Sequence, residues 1–341
     1  MENFNRENRL HESAIKIRKP FEIDPSLCIY SPQENIDSLK HPKIKKWQDF
    51  IRREWEPSPA PKGSKKFALI IPCTKYKPYI TSREHKAINS ALLRDGWEIS
   101  GKSESPPEFE KLIQKEDPQG IFHEGFLKKK NLILERIVIS EPLGLVPYQY
   151  IYYWNGKQSP ATSYDDPGLF ESRGTSVSPY RSDSTATMVK SGKWKWGNSE
   201  RDSYVDMHNH LVEVIASSLK RVRKEYHGII AWVSPGLTHR SFLASKKIRL
   251  KEGIPCSRKI KDGRKNLYGV LDLDSEIIKI MPTLDQLRLA QQRLEKRLKS
   301  EGRNSSPQSV RSIYARGDGN DTPLGLKESL DYLLAELNNQ F

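Results

Sequence analysis

Phe67-Ala68-Leu69-Ile70-Ile71-Pro72 is the stretch on which the fold turns. Five apolar residues run without alternation and stop at a proline. A strand wet on one face alternates apolar and polar side chains, whereas one covered on both faces does not. The run therefore predicts a strand of a parallel sheet with helices on either side. Leu132 to Ile139, centred on Ile137-Val138-Ile139, reads the same way, and so does Gly228-Ile229-Ile230-Ala231-Trp232-Val233. Helical patterns fill 85–93 and 203–224 between these runs, and another follows at 238–246. Strands alternating with helices define an α/β layered domain, whose functional groups gather at the carboxyl ends of the strands. Cys73, Glu141 and Ser234 all fall on that edge.

Around this core, residues 1–40 mix charges, prolines and serines without periodicity and are expected to be a loosely ordered N-terminal arm. Ile44, Trp47, Ile51 and Trp55 share a helical face. The linker Pro57-Ser58-Pro59-Ala60-Pro61-Lys62-Gly63-Ser64 is one no helix crosses. The α/β core is expected over 41–270, with a long insertion at 151–200 rich in Ser, Gly, Thr, Asp and Pro. Residues 271–341 read as a helical extension. There Thr283 and Gln286 form a capping box ahead of Leu284, Leu287, Leu294 and Leu298. A polar stretch at 301–320 precedes a last helix near 325–338.

The 341 residues carry 57 Lys and Arg against 43 Asp and Glu, a formal charge of +14. That balance points to a polyanionic partner, because neutralising phosphates releases condensed counterions. Mean hydropathy is −0.71. Seven Trp, fourteen Tyr and ten Phe nevertheless exclude a disordered chain. No apolar run is long enough for a membrane span and no signal-peptide core opens the chain, so a cytoplasmic protein without a membrane partner is expected. Cys28, Cys73 and Cys256 form no CxxC pair, which argues against a disulfide framework or a zinc ribbon. Asp206, His208 and His210 stand at i, i+2, i+4 and do not share one helical face, so no metal site is expected there.

The chemistry concentrates in Pro72-Cys73-x3-Lys77-Pro78-Tyr79-x2-Ser82-x2-His85. A cysteine just past a buried strand sits at a rim, where Lys75, Lys77 and His85 would favour its nucleophilic thiolate. Tyr79 and Ser82 bring hydroxyl donors, and His85 a proton carrier. The same pattern also fits a small core thiol with solvated loop lysines. For a polyanion, Lys246, Lys247, Arg249, Arg258, Lys259 and Arg264 crowd into about twenty residues. Lys193, Trp194 and Trp196 interleave a cation with rings suited to stacking on a base.

The string PCTKYKPYITSREH resembles the core motif of the archaeosine synthase family, PCxxxKPYxxSxxH, at every fixed position. HPKIKKWQDFIRREWEP is similar to the helix leading into that motif. Ser140 to Pro147 resembles the family's SxPLGxVP segment, and Tyr164-Asp165-Asp166-Pro167 its YDxP segment. The resemblance implies a three-layer, mostly parallel, uracil-DNA-glycosylase-like α/β fold followed by C-terminal helices. It implies transfer of an amine, lysine or another, onto the nitrile of 7-cyano-7-deazaguanine held in a nucleic acid. Cys73 would be the nucleophile, with Lys77, Tyr79, Ser82 and His85 assisting. Glu141, Tyr164 and Asp165 would bind substrate; no cofactor is expected. A transglycosylase or a radical enzyme is the expected protein partner. The chain shows neither the transglycosylase-like nor the PUA domain of full-length archaeal members, which leaves tRNA and DNA both open. An accessory nucleic-acid-binding subunit and a glycosylase-like hydrolase are the competing readings.

Overall fold

The apolar run becomes strand β1 (Lys65–Pro72), buried from Lys66 onward, in the middle of a seven-stranded sheet. The computed structural model describes residues 5–166, 168–314 and 323–340. β1 pairs in parallel with β4 (Leu132–Ser140) over its whole length, Lys65 opposite Leu132 and Pro72 opposite Ile139. On its other side it pairs in parallel with β10 (Gly228–Trp232), Phe67 opposite Gly228. Beyond β10 lies β13 (Lys279–Met281), again parallel. The far edge is antiparallel. There β3 (Leu127–Lys129) pairs with β4 and β2 (Glu98–Ile99) with β3, while β5 (Gly144–Pro147) folds back on the end of β4. The order is β13-β10-β1-β4-β3-β2, a mixed sheet with a parallel centre.

Every residue of β4 is buried, including Glu135 and Arg136. Buried charges need partners. Glu135 accepts from the Ser58 amide (2.6 Å) and the Tyr226 hydroxyl. Arg136 donates to Asn89 Oδ1 (2.8 Å) and to the carbonyls of His123 and Gly125. Those bonds let two charges interrupt an otherwise apolar strand.

The crossover from β1 to β4 runs through α4 (Arg83–Arg94), and that from β4 to β10 through α5 (Asn198–Val222). The two travel in opposite directions across the sheet, and right-handed crossovers then place their helices on opposite faces. Helix α3 (Pro42–Arg53) packs on α5, and α11 (Lys327–Asn338) on α4. The winding reverses between β1 and β10. Sheets of this kind hold ligands in the crevice outside the carboxyl ends at that reversal.

Three expectations change. From Asn5 onward the N-terminal forty residues are not a loose arm: they form α1 (Arg6–Ala14) and α2 (Pro32–Ser38) and bury Arg9, Ser13, Phe21 and Leu27. Backbone bridges Ile17–Lys77 and Cys28–Asp165 anchor them, and such anchoring leaves no apolar periodicity to read. The 271–341 extension is not wholly helical, because three-residue β13 joins the central sheet. The single helix expected at 238–246 is two, α6 (Thr238–Leu243) and α7 (Lys246–Lys251), with Ser245 capping the second. The insertion holds the small hairpins β6 (Tyr153–Trp154)–β7 (Lys157–Gln158) and β8 (Thr187–Met188)–β9 (Trp194–Lys195). Another hairpin, β11 (Ser257–Ile260)–β12 (Gly263–Asn266), leads to α8 (Val270–Leu273).

Beyond β13, α9 (Leu284–Ser300) starts with the predicted box. Thr283 Oγ1 accepts from the Gln286 amide (3.2 Å), and Gln286 Oε1 from the Thr283 amide (2.8 Å). α10 (Pro307–Tyr314) occupies part of the polar stretch, whose residues 315–320 lie outside the described ones. Among the described residues no helix is long and apolar enough to cross a membrane.

Trp232, fully buried at the end of β10, donates its indole N–H to the Leu324 carbonyl (3.1 Å) and so fastens the C-terminal segment to the sheet. Trp232→Ala should lower the unfolding free energy by about 3–5 kcal/mol, read from urea titrations. A loss below about 1 kcal/mol would contradict this packing.

Candidate functional site

A cavity of about 640 Å³ opens at the reversal point of the sheet. Its floor comes from three strand ends: Pro72, Cys73 and Thr74 after β1, Glu141 after β4, and Leu237 to His239 after β10. Arg9, Ser13, Lys16 and Tyr30 of the N-terminal segment make one wall. The loop 168–175 with Gly192 and Lys193 of the β8–β9 turn makes the other.

Cys73 is held on its backbone by β4, its amide donating to the Ile139 carbonyl (2.9 Å). Its Sγ lies 3.1 Å from His239 Nε2. Burial pushes the thiol up to about 12, with the Lys77 ammonium pulling it down and the Asp166 carboxylate pushing it further up. Burial likewise pushes His239 down to about 4. The pair therefore rests as thiol and neutral imidazole. His239 Nδ1 is buried without a hydrogen-bond partner among the described residues.

Glu12, Glu84, Glu141 and Asp166 line the cavity, and burial shifts the last two. Glu141 Oε2 accepts from Asn35 Nδ2 (3.0 Å), and burial, then the Asp166 charge, raises its pKa well above the usual range. Asp166 Oδ1 accepts from the Gly168 amide (2.7 Å). Burial raises Asp166 to about 6, against that hydrogen bond and the lysines Lys77 and Lys16, which lower it. Like charges in one pocket resist joint ionisation, so burial and the neighbouring Asp166 favour the protonated form of Glu141.

The rest of the cysteine motif does not enter the cavity. Ser82 caps α4, its hydroxyl accepting from the His85 amide (3.2 Å). His85 is fully buried, its Nε2 donating to the Pro72 carbonyl (2.8 Å) and its Nδ1 accepting from the Tyr148 hydroxyl (2.7 Å). It is neutral, pushed down to about 4 by burial, and holds the strand end that presents Cys73. The histidine that faces the Cys73 sulfur is His239, not His85.

Tyr79 and Tyr164 are buried, their hydroxyls 2.7 Å apart, and both bond the Ser140 hydroxyl. Lys77 lies buried 4.6 Å from the Tyr164 ring centroid and 3.7 Å from Asp165 Oδ1. Asp165 is buried under Ser13, Lys16 and Lys77 and has no room for a substrate amine; its neighbour Asp166 faces the cavity instead.

The nucleic-acid residues divide. Lys193, Lys246, Lys247, Lys259 and Arg264 are exposed. Arg249 is fully buried, donating to Asp272 (2.8 Å) and the Leu267 carbonyl, and is a structural cation rather than a surface one. Trp196 is buried, its indole N–H donating to the Ser176 carbonyl (2.9 Å), and Trp194 packs on the same small core, so neither is an open stacking platform. Arg258 lies beside Glu171 (3.7 Å) and over the Tyr204 ring. Phe170 lines the cavity with the Arg173 guanidinium over its ring (4.4 Å). Asp206 bonds Lys265, His208 the Tyr268 carbonyl, and His210 Gln48, three separate partners.

Comparison of the chain with protein-family models, curated proteins and solved structures finds no match.

His85 and His208 are neutral in the fold, pushed down to about 4 and about 3 by burial. An unfolded histidine protonates near 6.5. Their contribution is complete above that pH and is lost as pH falls through the folded values. His85 alone should contribute about 3 kcal/mol. Urea-unfolding free energies should fall steadily from pH 7 to pH 4.5, and less steeply in His85→Asn. A flat profile would contradict the burial of these rings.

Proposed function

We propose that the protein is an amidine-forming transferase acting on the nitrile of 7-cyano-7-deazaguanine within a nucleic acid, tRNA or DNA, with lysine or another amine as donor. The observation that carries this reading is Cys73 Sγ against His239 Nε2 at the sheet's reversal point, with Glu141 and Asp166 in the same cavity. The likeness of residues 72–85 to the archaeosine synthase core motif supports it, as does a uracil-DNA-glycosylase-like reading of the mixed α/β fold.

In the proposed reaction the base lies along Phe170 with its nitrile over Cys73. As sulfur bonds to the nitrile carbon, the thiol proton passes to His239 Nε2 and on to the nitrile nitrogen, giving a neutral thioimidate. A donor ammonium sits against the Asp166 carboxylate, opposite charge being the natural complement of a primary amine, with the Glu141 carboxyl beside it. Asp166 takes one proton from it, the freed amine adds to the thioimidate carbon, and the C–S bond breaks. Sulfur recovers a proton through His239, and the amidine, a strong base, takes up the proton held by Asp166. Exposed Lys75, Lys193, Lys246, Lys247, Lys259 and Arg264 supply charge for the phosphate backbone.

Incubating the protein with a nitrile-bearing nucleoside or oligonucleotide should give a covalent adduct by intact mass, and Cys73→Ser should lose product formation by at least about a thousandfold. Asp166→Asn should raise KM for the amine more than it lowers the rate of adduct formation. A Cys73→Ser protein of normal activity would end the covalent mechanism. Tight oligonucleotide binding without any adduct would favour the accessory-subunit reading.

A further inference from the structure

The N-terminal segment contributes a wall of the cavity although it lies far from the motif in sequence, and one buried carboxylate ties it down. Lys16 accepts from the Lys77 amide on its carbonyl (3.0 Å), and the Arg18 amide donates to the Lys77 carbonyl (2.9 Å), so the segment runs beside the motif loop. Eleven residues on, the Ile29 amide donates to the Asp165 carbonyl (2.9 Å). The Asp165 side chain stands between these two strips. Its Oδ2 accepts from Ser13 Oγ (2.7 Å) and from Lys16 Nζ, and Lys77 Nζ lies 3.7 Å from its Oδ1. Ser13 Oγ is also 2.9 Å from the Tyr30 hydroxyl. Arg9 stacks over Tyr30 and donates to the carbonyls of Val177 (2.6 Å) and Thr175 (3.3 Å), which joins the wall to the opposite roof.

We infer that Asp165 is a positioning residue that latches the N-terminal segment through Lys16, and that this latch controls access to Cys73. The latch rests on Cys73 being the reacting thiol of the proposed function, but not on the identity of the electrophile. The apolar contribution of α1 is small, for Arg9 and Ser13 are its buried residues and both are polar. An element with few apolar contacts opens locally at low free energy unless charges hold it. Asp165 supplies that hold, and it does so beneath the wall rather than in the cavity, where it would compete for substrate.

The test uses the full chain and iodoacetamide at fixed pH, with site-resolved mass spectrometry. Cys256, partly exposed just ahead of β11, is the internal control. Lys16→Met keeps Asp165 bonded to Ser13 and beside Lys77, so it should fold, and Asp165→Asn removes the charge itself. Both should speed Cys73 labelling by at least about tenfold, with Cys256 labelling unchanged, while Lys16→Arg restores the slow rate. In the double variant the two effects should not add, because both break one ion pair. Cys73 labelling at the wild-type rate in folded Lys16→Met and Asp165→Asn would overturn the latch. So would equal acceleration at Cys256, which would indicate general loosening. Since no nitrile takes part, a faster Cys73 alongside an inert nitrile would uphold the latch and reject the transferase reading.

Discussion

The parallel pairing of β1 with β10 is the contact on which everything else depends. It places the reversal of the sheet's winding beside the end of β1, and so sets Cys73 in the lining of the cavity. Cys73 is gripped by β4 through its amide and faced by the loop after β10 through its sulfur. Had the third strand added beyond β4 instead, His239 would lie two strands away. The His–Cys pair is thus a product of strand order, not of local sequence.

The motif from Pro72 to His85 acquires a different meaning in three dimensions. Of its fixed positions Pro72 and Cys73 line the cavity, while Lys77, Tyr79, Ser82 and His85 build its support. Ser82 starts the helix that carries His85, His85 grips the Pro72 carbonyl, and Tyr79 closes a hydroxyl cluster with Ser140 and Tyr164. A histidine with both ring nitrogens bonded to fixed partners cannot exchange protons with a substrate. A histidine with one nitrogen on the thiol and the other unpartnered can.

The buried strands, the long α5 and the capping box of α9 were legible because their signals are local: unbroken apolar runs, 3.6-residue periodicity, a Thr and a Gln three apart. Cys73 and Glu141 were legible because each directly follows such a run. His239 follows the third run by six residues, behind a Ser-Pro-Gly turn, and asking which titratable group trails each strand would have found it. Asp166 and Asp165 could not be ranked by sequence, since only the fold decides which of two adjacent carboxylates faces inward. The N-terminal wall was invisible because backbone pairing and a buried ion pair leave no hydrophobic pattern. Arg249 and Trp196 misled for the complementary reason: a basic or aromatic cluster does not say which members the core has taken.

The neutral resting state of Cys73 and His239 bears on which chemistry the pocket suits. A preformed thiolate would lie buried beside the Asp166 carboxylate, an arrangement that the raised thiol pKa disfavours. Reactions that build a lasting oxyanion need fixed donors aimed at it, and here the Ser140, Tyr79 and Tyr164 hydroxyls are bonded to one another. Addition of a thiol across a nitrile makes neither demand. In the proposed reaction the proton that leaves sulfur would end on the nitrile nitrogen, so the electrophile would arrive neutral and the intermediate would leave the first step neutral. In that proposal charge would enter only with the amine, and Asp166, which lines the cavity, would balance it. Such a proposed division, with neutral chemistry over the sulfur and ionic chemistry over the carboxylates, fits a pocket whose thiol burial holds protonated.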